Sequence, residues 1–167
     1  LPFVGAYWAD WSTGLVIISL IVLGVAWLVG VVHVIYALSK EYGGFTNLLG
    51  WQYFKKEKPE RELPAAVLIS TIAFIPGVFS FIVAAVMLIL YLLQHLEPSL
   101  WFDPLMMKNM VMFFGHNVAN ITLYACIGWV YLLLPEFTGR PWKVDKVVVL
   151  SWNATFFFIM FAFFHHM

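Results

Sequence analysis

The chain has 167 residues, of which 63% are hydrophobic, 19% aromatic and only 11% charged, an apolar share well beyond that of soluble domains. Its charged residues gather in short connecting segments, so the fold class it implies is an all-α integral membrane protein of four transmembrane helices with no separate soluble domain. A net charge of zero gives no reason to expect nucleic acid as a partner, and the single cysteine, Cys126, excludes an internal disulfide and reads as a small buried hydrophobe.

The first span is expected from Trp11 to Ser39, because about 20 apolar residues cross a hydrocarbon core. Gly24 and Gly30 leave room there for a neighbouring helix, and His33 reads as hydrogen-bonded at a helix interface. The polar segment Lys40 to Pro64 mixes Lys55, Lys56, Lys58 and Arg61 with Glu57, Glu60 and Glu62, which marks a solvated surface loop; a short interfacial helix is expected near Phe45 to Phe54. Pro64 starts the second span, Ala65 to His95, a position where proline is well tolerated. Pro76 lies inside it, predicting a kink whose freed carbonyl is satisfied by Ser80, water or a neighbouring helix. After the turn Leu96 to Pro104, the third span runs from about Leu105 to Leu134, the loop Pro135 to Lys146 follows, and the fourth span, Val147 to Phe164, extends into His165 and His166. With its start at Leu1 and its end directly behind two histidines, the chain reads as a single helical region that is part of a larger subunit.

Of nine lysines and arginines, five lie between the first two spans and three between the last two, leaving only Lys108 on the other side. The excess of basic residues in these loops places them in the cytoplasm. The third helix then runs inward and the fourth outward, so His116, about 16 Å into the third helix at 1.5 Å per residue, and the pair His165 and His166 fall in the same half of the bilayer. An ionisable group at membrane depth is costly unless paired, solvated or coordinated. Taken singly, each histidine reads as a satisfied core or interface residue; together, with no carboxylate inside a span, three imidazoles suit a copper or zinc ion. Below His116, residues Asn120, Tyr124 and Tyr131 return to one face at 100° per residue. This polar stripe is suited to carrying water and protons, or equally to ordinary interhelical hydrogen bonds. Met106, Met107, Met110 and Met112 read as packing residues.

The segments GHNVAN and YLLLPEFTGRP, with a fourth span that ends in HH, resemble helices six and seven of subunit I of the haem-copper oxidase superfamily. The approach ERELPAAV and the segment FDPLMMKNMVMFFGH are similar to its B-type branch, which includes relatives of nitric oxide reductases. The resemblance implies helices four to seven of a bundle of about twelve, in the cytoplasmic membrane of a prokaryote. It implies that His116, His165 and His166 hold copper B opposite a haem whose own ligands lie outside this chain, and that Tyr131 matches a tyrosine of the B-type proton pathway. The remaining helices of subunit I and a cupredoxin-like or cytochrome subunit, as electron donor, are the partners it implies, with a diatomic gas as substrate in a respiratory chain.

One position departs from the oxygen-reducing pattern. A tyrosine four residues after the helix-six histidine is usual there, and this chain has Asn120; the fourth span has no tyrosine to replace it. Loss of that residue resembles nitric oxide reductases, which break no O–O bond, whereas the absence of glutamate within the spans argues against their non-haem iron and for copper. Reduction of NO to N2O is therefore expected ahead of an oxidase that reduces O2 to water. A haem-b electron-transfer anchor is the competing reading, with His33 and His95 as the obvious pair, but the topology places these at opposite surfaces. A transporter fragment leaves the His-His pair unexplained.

Overall fold

This computed structural model describes residues 9–55, 61–140, 142–162 and 164. The helices among the described residues are α1 (Asp10–Glu41), α2 (Phe45–Leu48), α3 (Ala65–Leu96), α4 (Pro104–Thr138) and α5 (Lys146–Ala162), with a 3₁₀ turn at Trp51–Phe54. Three of them, α1, α3 and α4, are long and apolar enough to cross a membrane, and α5 is an apolar helix of 17 described residues. Helices suit this composition because a chain in lipid must satisfy its backbone groups internally. The short interfacial helix expected near Phe45 to Phe54 divides into α2 and the 3₁₀ turn.

The central element is α3, which packs against α1, α4, α5 and α2. On one side Trp27 of α1 stacks on Phe81 with ring centroids 3.9 Å apart and meets Phe74 edge-on. On the other, Phe81 meets Phe114 of α4 at 5.2 Å. Gly77 lies between these contacts: a Cβ there would stand 2.5 Å from Ile121 Cδ1 and 2.8 Å from Trp27 Cη2. A missing side chain thus lets two large neighbours converge on one turn of α3. Along α4, Met107, Phe114, Ile121 and Gly128 recur every seven residues, and three of these four are buried. This spacing keeps one seam of α4 against its antiparallel partner α3.

At the end where α1 stops and α3 starts, the chain folds back. Asn47 Nδ2 donates to the carbonyls of Tyr42 and Gly43, and Leu48, Leu63, Leu68, Ile72 and Val149 form a buried cluster. Asn153 of α5 donates to Leu49 O at 2.9 Å and to Val149 O at 2.8 Å, and its Oδ1 accepts from Trp51 Nε1. These bonds pin α5 to the segment beneath α1. For that reason α5 lies more against α3 and this segment than against α4, although a short connection joins α4 to α5. At the opposite end the Ser99 hydroxyl and amide donate to Glu97 and hold its carboxyl below the usual range.

Two proline expectations change. Helix α4 does not leave at Leu134 but continues through Pro135 to Thr138, closed by Gly139 in the left-handed region at φ 65°. Proline so near the end removes few helix bonds, and the Thr138 hydroxyl donates to Leu134 O at 2.9 Å. In α3 the helix runs on through Pro76, and Ser80 Oγ donates to Pro76 O at 2.8 Å. The carbonyl that a proline deprives of its amide is the one four residues earlier, that of Ile72, so Ser80 makes an ordinary back-bond rather than filling that gap.

Gly50 adopts φ 78°, and a Cβ there would lie 2.5 Å and 2.9 Å from the two Val149 methyls. Gly50→Ala is expected to lower unfolding free energy in detergent by about 2–4 kcal/mol, combining left-handed strain with overpacking. Denaturant titration of the Gly50→Ala/Val149→Ala pair checks the packing part: the double variant loses less than the sum of the singles.

Candidate metal centre

His116 sits on the fourth turn of α4, a helix that Pro104 opens and that the Asp103 carboxylate caps by accepting from Leu105 N. The imidazole is half-buried. Setting its direction as zero, Asn120, Tyr131 and Tyr124 follow at about 40°, 60° and 80° around the axis, at 100° per residue. The ring contacts show what this sector faces. Tyr124 meets Trp152 of α5 edge-on at 5.7 Å, and Tyr131 meets Trp152 at 6.3 Å and Trp142 at 4.5 Å. The structure therefore places both tyrosines on the α5 side of α4, with the half-buried Asn120 between them and His116 in helical angle.

The antiparallel register that Tyr124 and Trp152 set brings position 116 level with about position 160 of α5. His165 and His166 lie outside the described residues. Among the described residues no group of three His, Cys, Asp or Glu side chains gathers to hold a metal; His116 is the one proposed ligand that the structure places. Its donor chemistry, an imidazole on a half-buried helix face, fits copper, and carboxylates occur in the described helices only at their ends. Glu136 is one of these, because α4 reaches Thr138 rather than ending at Leu134. It stands twenty residues, about 30 Å, beyond His116 and is exposed, so it cannot serve the same ion.

Asn117 was less prominent in the sequence than its neighbours, yet it is completely buried, and neither of its amide atoms has a hydrogen-bond partner among the described residues. It lies in the α3-facing seam between Phe114 and Ile121. The signal for it was its spacing, three residues after Phe114 and four before Ile121, which sets it on that seam. Asn153 of α5 clamps that helix to the segment that follows α2.

Three single-residue expectations are corrected. Cys126 is exposed, because it lies on the face of α4 turned away from α3, as do Gly115, Ala119 and Thr122. His33 is exposed on the outward face of α1 and has no hydrogen-bond partner among the described residues, and Met106 is 41% exposed although Met107 is buried. His95 lies against Gly14 at the start of α1, where a Cβ would be 3.3 Å from its Nε2. His33 is nineteen residues further along α1, about 28 Å, so no single haem spans the two.

Trp152→Ala is expected to cost about 2–4 kcal/mol of stability by removing the ring that both tyrosines meet, and Trp152→Phe clearly less. Near-ultraviolet circular dichroism during denaturant titration reads the difference.

A model of the family described as cytochrome c and quinol oxidase polypeptide I matches residues 3–167 of the chain. No curated protein and no solved structure matches it.

Proposed function

We propose, for a chain that belongs to the cytochrome c and quinol oxidase polypeptide I family, the role of helices four to seven in a catalytic subunit that reduces NO to N2O. Family membership makes the chain part of a multi-pass, membrane-embedded haem-copper oxidoreductase. The finer reading rests on Asn120, which stands one helical turn from His116 on the α5 side. In this reading His116, His165 and His166 hold copper, and haem ligated by helices outside this chain faces them. When bound, the haem and copper supply the electron-transfer and gas-binding chemistry.

The residues of this chain then divide the remaining work. Neutral imidazole at His116 would offer a nitrogen lone pair to the metal. A carboxamide at Asn120 donates and accepts hydrogen bonds but, unlike a phenol, has no readily lost electron and proton. Reduction of two NO to N2O and water takes two electrons and two protons and cleaves no O–O bond, so it has no need of the phenol. Tyr124 and Tyr131 offer hydroxyls on the same side of α4 for protons that enter from the basic end; about 10 Å of helix separates them, a gap that bridging water closes. The helix-end placement of the carboxylates supports copper over a carboxylate-bound iron.

The proposed assembly includes the remaining helices of subunit I and a cupredoxin-like or cytochrome subunit that delivers electrons. It lies in a prokaryotic cytoplasmic membrane with the basic loops in the cytoplasm. The purified complex is expected to consume NO faster than O2 when both are measured electrochemically under one electron donor, and faster O2 consumption would overturn the choice of gas. For His116→Ala, copper measured by mass spectrometry is expected to fall by about one ion per complex while helical circular dichroism is retained. Unchanged copper occupancy counts against the ligand assignment.

A further inference from the structure

At the basic end of the bundle a cavity of about 400 Å³ is lined by Tyr53, Glu62, Leu63, Pro64, Trp142, Lys143 and Val144. This volume falls within the range of small-molecule sites. Its walls are ordered: Leu63 belongs to the buried cluster, Val144 and Tyr53 pack against that cluster, the Tyr53 hydroxyl accepts from Leu63 N at 3.0 Å, and Trp142 is held against Tyr131. Two opposite charges line the cavity, yet neither Glu62 nor Lys143 forms an ion pair with any described residue; the ion pair found there joins Arg61 to Glu41. The cavity therefore offers a carboxylate and an ammonium at separate points, beside a tyrosine and a tryptophan, at the mouth of helices that enter a membrane.

We propose that this cavity binds the headgroup of a zwitterionic phospholipid with a primary amine, its phosphate on Lys143 and its ammonium on Glu62. Opposite charges kept apart match a dipolar group better than an anion or a cation alone. The Trp142 ring adds an aromatic face for the ammonium, and tyrosine and tryptophan are the side chains favoured at headgroup depth. The bilayer source is favoured over a soluble zwitterion by what lies next to the cavity. Immediately after Lys143, α5 presents Val147 and Leu150, 70% and 64% exposed, and continues with exposed Phe157, Phe158 and Phe161. That apolar strip runs along the helix from the headgroup position and gives acyl chains a surface to follow. The proposal uses the membrane placement of the family and does not depend on which gas is reduced.

The purified complex in nanodiscs, analysed by native mass spectrometry, provides the test with two probes, phosphatidylethanolamine and phosphatidylglycerol. One retained phosphatidylethanolamine per complex is expected, preferred over phosphatidylglycerol by about tenfold, the worth of one hydrogen bond to a charged group. Glu62→Gln is expected to bring the two lipids to parity, and Lys143→Gln to weaken both, while gas turnover stays at the wild-type rate in each variant. Equal retention of the two lipids by the wild type, or a preference that survives Glu62→Gln, would overturn the proposal. Displacement of the lipid by soluble phosphoethanolamine at equal concentration would overturn its assignment to the bilayer.

Discussion

The bundle depends on the close approach at Gly77. Trp27 reaches α3 from one side and Ile121 from the other, and both fill space that any side chain at residue 77 would occupy. In lipid, apolar side chains gain little by leaving their surroundings for each other, so helices associate through close packing, and small residues at the contact allow it. The stacked Trp27 and Phe81 and the edge-on Phe114 extend the same contact. Because Ile121 is five residues from His116 on one rigid helix, the packing that fixes α4 on α3 also fixes the direction in which the imidazole leaves the bundle.

A second constraint acts at the basic end. Asn153 spends its amide on the backbone of Leu49 and Val149, and the absence of a side chain at Gly50 admits Val149 beneath the turn. These contacts tie α5 to the segment between α1 and α3, and the aromatic group of Tyr124, Tyr131, Trp142 and Trp152 joins the same helix to α4. The face of α4 that carries the proposed site is thus supported by α5 through ring contacts, while its neighbouring face is sealed by α3. Lipid-headgroup chemistry at Glu62 and Lys143 would sit directly outside this joint.

Much of the architecture was legible because it follows from apolar length. The second span was placed to within a residue of α3, and the first to within two of α1, since a run of apolar residues bounded by charge leaves little choice. Pro135 misled because proline was read as a stop, whereas near a helix end it costs little and Thr138 and Gly139 finish the turn. Cys126 and His33 misled for a different reason. An apolar run states that a residue is out of water, but not whether lipid or protein surrounds it, and both residues face outward. The buried state of Asn117 was not read, since burial within a bundle depends on which faces meet and only the seven-residue spacing of the α3 seam reveals it. His116 and the tyrosines stood out by polarity in an apolar setting, a signal that needs no knowledge of neighbours.

In the proposed function the polarity of α4 serves a haem-copper oxidoreductase by offering metal-ligating nitrogen and a proton supply inside the membrane. The central claim is a copper ion held by imidazoles alone, His116 among them. X-ray absorption at the copper edge on the intact complex tests it most directly. The account predicts that the copper signal lost on going from wild type to His116→Ala is a shell of about three nitrogen scatterers with the outer-ring pattern of imidazole; no difference between the two, or a lost shell built on sulfur or carboxylate oxygen, would contradict it.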